Sequence, residues 1–273
     1  MNRTNLTSLS DPKIKQIRAL RQRKAREESG LFLVEGIRPV GEAVEAGASL
    51  AYLCYAPDQL TSDYAHQLIQ AQQANGLPVY AVAEGVFEAL ADKENPQGII
   101  AVARRPSLTL ENLTADSSPW VVALVSPQDP GNIGAILRTV DAVGASALLL
   151  LDQSADPYHP RAVRASMGTL FWRPMVMATF AQFVSWAKAH GYHIYGTSAH
   201  GSTPYQQVAR YERPAALLLG SEREGLSAEQ AACCQQLIRL PMRGRATSLN
   251  LAVAAGVMLY AMLERFDEAE QGG

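Results

Sequence analysis

The chain has 273 residues, 48% of them hydrophobic and 18% charged, with a formal net charge of −2. That length suits one large domain or two ordinary ones, and the composition excludes a disordered chain. No run of about 18 apolar residues is present to span a membrane, and the polar start MNRTNLTSLSDPKIKQ lacks a secretory signal, so a cytoplasmic protein is expected.

The charge is unevenly spread. Residues 1–30 hold eight Lys/Arg (Arg3, Lys13, Lys15, Arg18, Arg21, Arg23, Lys24 and Arg26) against three acids, a net +5 on a body that sums to −7. A basic arm on an acidic body is a candidate for phosphate contact, and a solvated helix face has the same composition. Asp11 and Pro12 open a helix with Ile14, Ile17 and Leu20 on one face, and Gly30 is its stop. Strands follow at 31–36, 50–56, 78–83 and 98–103, with helices at 37–46 and about 62–74 between them. The stretch 104–119 is rich in Ser, Thr and Pro and reads as a linker. A second alternation begins at VVALVSP (121–127). It continues with a helix over about 132–143, strands at 147–151, 193–199 and 215–222, and an apolar helix over 247–265. Two α/β domains are expected, 1–105 and 120–273, joined by a linker at 106–119.

Cys54, Cys233 and Cys234 fit neither a disulfide framework nor a CxxC pair and read as free thiols. His66, His159, His190, His193 and His200 show no metal-ligand spacing, so no metal is expected. No GxGxxG follows a strand.

Three blocks of the second half carry candidate chemistry. DPGNIGAILRTVDAVGA (129–145) places a turn after a strand, with Asn132 able to cap a helix that carries Arg138. LLLGSEREGL (217–226) runs a buried strand into Gly220, Glu222 and Gly225; glycines there let backbone approach a ligand closely. LPMRGRATSLNLAVAAGVMLYAM (240–262) sets Ser248 and Asn250 before a helix rich in small residues. Each block alone is ordinary in an α/β protein.

In this order and spacing they resemble the motifs of the SpoU/TrmH family of RNA ribose 2′-O-methyltransferases, in the SPOUT superfamily. The match runs through Asn132, Gly134 and Arg138; then Gly220, Glu222, Gly225 and Leu226; then Pro241, Met242, Gly244, Ser248, Leu249 and Asn250. RAVRASMGTLFWRP (161–174) is similar to the segment between the family's first and second motifs. The basic first helix, LFLVEGIRPVGEA (31–43) and NPQGIIAV (95–102) resemble the family's substrate-binding domain, which is similar to ribosomal protein L30.

The resemblance implies a SPOUT α/β domain with a deep trefoil knot behind a small L30-like α/β domain. Counting elements would not suggest a knot, since true knots are rare. It implies S-adenosyl-L-methionine (AdoMet) held by loops around Gly220, Leu240 and Leu249, with Met242, Gly225 and Thr197 beside them, and a homodimer that completes the site. It assigns Arg138 to activation of the ribose hydroxyl. Arginine normally keeps its proton, so orienting a phosphate and stabilising alkoxide charge is as good an account as proton abstraction. Asn132, Glu222, Ser248 and Asn250 would shape the pocket or position ribose. Lys13, Lys15, Arg18, Arg21, Arg23, Lys24, Arg161 and Arg164 would contact RNA. Ribosomal RNA is the expected substrate; transfer RNA, or non-catalytic RNA binding on the same scaffold, are the alternatives.

Overall fold

A computed structural model describes residues 5–90 and 97–271 and divides into two compact units. Arg3, Asn95 and Pro96, which figured in the sequence reading, lie outside the described residues.

Unit 1 comprises residues up to Pro106 together with Asp156–Trp172. Its elements are β1 (Asn5–Leu6), α1 (Pro12–Ala19), α2 (Arg23–Ser29), β2 (Leu31–Glu35), α3 (Ile37–Glu45), β3 (Leu50–Tyr55), α4 (Asp63–Ala74), β4 (Val79–Val82), α5 (Glu84–Glu88) and β5 (Ile99–Arg104). The sheet runs β1-β4-β3-β5-β2, with β5 antiparallel to both of its neighbours. Asp11 caps α1 by accepting from Lys13 N, and Ile14, Ile17 and Leu20 enter the core as the period-3.6 pattern requires. The single basic helix expected from the sequence is in fact two, broken at Leu20–Gln22. The break turns Arg26 inward. Arg26 is 1% exposed, donates from Nε to Asp156 at 2.6 Å, and donates from Nη1 to Leu20 O.

Asp156 belongs to a segment that the sequence placed wholly in the second half. This segment holds α7 (Pro160–Ser166), which packs on β2. Phe32 meets the rings of Tyr158 and Phe171, and the Arg105 guanidinium lies 4.7 Å from the Tyr158 ring centre. A cut at the expected linker therefore leaves 156–172 without the surface it buries.

Unit 2 comprises Ser107–Ala155 and Arg173–Gly273. It contains β6 (Trp120–Val125), α6 (Pro130–Ala142), β7 (Ala147–Leu151), β8 (Met175–Ala178), α8 (Phe180–Ala189), β9 (His193–Thr197), β10 (Thr203–Pro204), β11 (Ala215–Leu219), α9 (Ala228–Ala232), β12 (Gln236–Arg239) and α10 (Leu251–Gln271). All seven strands are parallel in the order β10-β12-β9-β11-β6-β7-β8. Near-continuous apolar runs such as ALLLL are what a sheet buried on both faces demands. The expected linker is not free: Leu110 and Leu113 plug this core, and Leu113 O accepts from Trp186 Nε1 at 3.2 Å. Helix α10 starts at Leu251 rather than 247 and packs on α6.

The three cysteines are free, and burial pushes the Cys54 and Cys234 thiols up to about 12, so neither is a reactive thiolate. Among the described residues, no helix is long and apolar enough to cross a membrane, and no cluster could hold a metal ion.

Arg26 and Asp156 form an ion pair with almost no solvent contact, so removing one partner strands a buried charge. Arg26→Met should lower stability by about 3–5 kcal/mol in urea unfolding. Arg26→Met combined with Asp156→Asn should recover most of that loss, because the asparagine oxygen can still accept from Tyr158 N as Asp156 does now.

Candidate active site

In unit 2, strands β11 and β6 pair in parallel with Leu219 opposite Leu124, so the loops that follow them leave the sheet side by side. Ligands of such sheets bind in the crevice beyond the carboxyl ends of the strands, where strand order reverses. Here β6 leads to β7 on one side, while β11, β9 and β12 lie on the other.

Glu222, after β11, reaches across to the loop after β6. Its carboxylate accepts from Gln128 N at 3.0 Å, Asp129 N at 3.5 Å and Asn132 Nδ2 at 3.1 Å. The Asn132 Oδ1 accepts in turn from Asn250 Nδ2 at 3.0 Å. Asn250 Oδ1 accepts from Ala252 N and Val253 N, and so caps α10. One polar chain thus ties all three motif blocks together. Asn132 is not the cap of α6: Asp129 takes that place, accepting from Gly131 N at 2.8 Å with Pro130 in the first turn. That frees the buried Asn132 amide to bridge Glu222 and Asn250.

Beside this chain lies a cavity of about 380 Å³, walled by the loops after β9, β11 and β12 and by the segment before α10. Thr197, Gly220, Gly225, Leu240, Met242 and Leu249, set apart on sequence grounds, all line it, as do Glu222 and Ser248. His200, Arg223 and Thr247 line it too. Arg223 and Thr247 occupy the unspecified positions of two motifs, and His200 lies three residues beyond Thr197, so spacing alone did not single them out. The cavity has the size of a small-molecule site. Its lining combines apolar Leu240, Met242 and Leu249 with polar Glu222, Arg223, Thr247 and Ser248. That mix suits a ligand that has both an apolar and a charged part.

Gly220 is sterically required. A Cβ there would fall well inside contact distance of the Gly225 carbonyl and Leu226 N, because the 221–225 turn folds back on it through a bridge between Ser221 and Gly225. Arg138, by contrast, does not line the cavity. It is exposed on α6 and has no hydrogen bond or ion pair among the described residues.

Residues 119–260 match the family described as "SpoU rRNA Methylase family", and 11–101 match "MRM3-like substrate binding domain". The chain belongs to the SpoU rRNA methylase family. It is 31% identical to the 23S rRNA (guanosine(2553)-2′-O)-methyltransferase of Bacillus subtilis, over 93% of this chain and 97% of that one. It is 33% identical to the 23S rRNA (uridine(2479)-2′-O)-methyltransferase of Streptomyces viridochromogenes, over 88% of this chain and 85% of the other. Among solved structures it resembles an AdoMet-bound rRNA methyltransferase from Sinorhizobium meliloti. That likeness has 35% identity and a TM-score of 0.87, covering 96% of this chain and 97% of that one.

Unit 1 distributes the expected RNA-binding residues unevenly. Lys13 lies 4.4 Å from the Tyr52 ring centre, and Arg21 is bound to Glu35 and to Leu90 O, so both are engaged within the unit. Lys15 and Arg18 are exposed on α1. Arg23 and Lys24 are exposed on α2 with Glu27 and Glu28 one turn on, surface pairs that cost little to open. Arg161 and Arg164 are exposed on α7, within unit 1.

Gly220→Ala should weaken AdoMet binding at least about tenfold by calorimetry, equivalent to about 1.4 kcal/mol. The added methyl must displace the turn that walls the cavity.

Proposed function

We infer that the protein transfers a methyl group from AdoMet to a ribose 2′-hydroxyl of ribosomal RNA. The observation that carries this reading is the polar chain Glu222–Asn132–Asn250, which assembles the three SpoU motifs around one cavity of cofactor size. AdoMet, when bound, supplies a methyl carbon on a positively charged sulfur. Leu240, Met242 and Leu249 would hold its adenine, and main-chain groups around Gly220 and Gly225 would approach it closely. Glu222 keeps Asn132 and the 126–129 loop in place, while Ser248 stands at the cavity wall, where a ribose hydroxyl can be oriented. The deep knot belongs to the same proposal; its support is that the loops after β9, β11 and β12 converge on this cavity.

Arg138 is assigned to the ribose and its phosphate, as an electrostatic anchor that stabilises charge developing on the attacking oxygen. Its exposed place on α6 favours this over proton abstraction. It would act in a homodimer, completing the cavity of the other copy. The support is a row on α10: Val253 is 52% exposed and Tyr260 55%, with Val257 between them at helical spacing. Such an apolar row marks an interaction surface, and a twofold dimer is the commonest way to cover one. Leu251 and Ala254 of the same helix line the cavity, so a partner on the row would border it.

Ribosomal RNA treated with the protein and methyl-labelled AdoMet should yield label in alkali-stable dinucleotides. A methylated 2′-oxygen cannot attack its neighbouring phosphate. Label confined to mononucleotides would point to base methylation and overturn the reading. Arg138→Ala should lower transfer at least about 100-fold with AdoMet affinity unchanged. Mixing it with Gly220→Trp should restore activity, because one site of the mixed dimer then joins an intact arginine to an intact cavity. Near-normal turnover of Arg138→Ala at saturating RNA would remove the arginine from the mechanism.

A further inference from the structure

Unit 1 contains a second cavity, of about 270 Å³, between α3, the β2–β5 end of the sheet and α7. Leu33, Phe87, Ile99 and Val163 give it apolar walls. Its charges are sorted by depth. The arginines lie outermost: Arg38 is 73% exposed on its side chain, and Arg164 is exposed on α7. The carboxylates lie deeper, with Glu35 21% and Glu42 16% exposed. Glu42 Oε1 accepts from Arg38 Nε at 2.8 Å, which tethers the outer arginine to the deeper carboxylate.

Next to the mouth, Gly168 takes a positive φ of 87°, and a Cβ on it would meet Glu42 Oε2 at 2.5 Å and Trp172 Cη2 at 2.9 Å. The indole of Trp172 is therefore drawn in against the cavity wall, yet the residue remains 46% exposed, and Met167, which lines the cavity, is 38% exposed. Large apolar side chains exposed near arginines are the pattern on which single-stranded nucleic acid stacks its bases.

We propose that this cavity holds one unpaired nucleotide of the substrate RNA, its base inside the apolar walls and its phosphates outside on Arg38 and Arg164. This rests on the reading that RNA is the substrate. The depth order of the charges decides the orientation. Glu35 is held by Arg21, which leaves Glu42: its Oε2 is buried and accepts no hydrogen bond among the described residues, so it repels a phosphate and can accept from a base's amino or imino group, as acidic residues do from cytosine N4. The outer arginines suit phosphate oxygens. A cavity of this volume admits a single base and excludes a duplex. The site therefore selects for a loop or bulge, the form in which RNA sequence is usually read. Because α7 comes from the chain between β7 and β8, the segment between the first two motifs supplies one wall of this second site through Pro160, Val163, Arg164 and Met167.

The test uses the fluorescence of Trp172, the exposed one of the three tryptophans, since Trp120 and Trp186 are buried. A short single-stranded oligoribonucleotide of mixed sequence should quench it, and the same strand in a duplex should not. Trp172→Phe should abolish the quench while retaining the thermal midpoint. Met167→Glu, placed at an exposed position, should raise the Kd for the single strand at least about tenfold, the loss expected for one stacked base. In methyl transfer these variants should raise KM for RNA and leave kcat at saturating RNA unchanged. Equal binding of strand and duplex, or unaltered affinity in Met167→Glu, would overturn the proposal. The quench needs no methyl transfer: its persistence in a protein that methylates no RNA would sink the enzymatic reading and leave this site standing.

Discussion

The carboxylate of Glu222 is the interaction on which the catalytic unit depends. It stands at the end of β11 and has to satisfy two main-chain N–H groups of the loop after β6 and an asparagine amide at once. Hydrogen bonds to a charged group contribute roughly 1.5–3 kcal/mol each, and stranding their partners costs as much again. The parallel pairing of β11 with β6 brings the two loops within reach. Asn132 then passes the constraint on to Asn250, whose side chain starts α10. Strand order, loop geometry and the position of the final helix are thereby coupled, and the cavity is the space the coupled loops leave.

A second constraint governs unit 1. Arg26 and Asp156 are 130 positions apart, and both are buried. Their pairing draws Asp156–Trp172 out of the run of the catalytic unit and onto the substrate-binding sheet. The chain therefore crosses between units three times, after 106, 155 and 172, rather than once. A basic residue that looks like an RNA contact in sequence is instead the anchor of this arrangement. Lys15, Arg18, Arg23, Lys24, Arg161 and Arg164 stay at the surface of α1, α2 and α7.

Much of the fold was legible because its signals are local. Buried parallel strands announce themselves as apolar runs, as in ALLLL, and the Ile14–Ile17–Leu20 face of α1 is a simple period. The motif residues around the cavity were legible through their spacing. What escaped depends on distant partners. Nothing near Arg26 states that it will be buried, and nothing in 107–118 states that Leu110 and Leu113 will plug a core. The bridging role of Asn132 was hidden for the same reason: a first-turn asparagine looks like a cap until Asp129 and Pro130 are seen to have taken that position. The short strands β8 and β12 are recognisable mainly by the neighbours they pair with.

The central claim is that the three motif blocks act as one unit through the Glu222–Asn132–Asn250 chain. A double-mutant cycle on AdoMet affinity tests it most directly, using Glu222→Ala and Asn250→Ala, whose side chains are joined through Asn132. If the blocks act as one unit, the two positions couple by well above about 0.5 kcal/mol, and the double variant loses less than the two single losses combined. Additivity within about 0.3–0.5 kcal/mol would mean that the blocks act independently, and would contradict that claim.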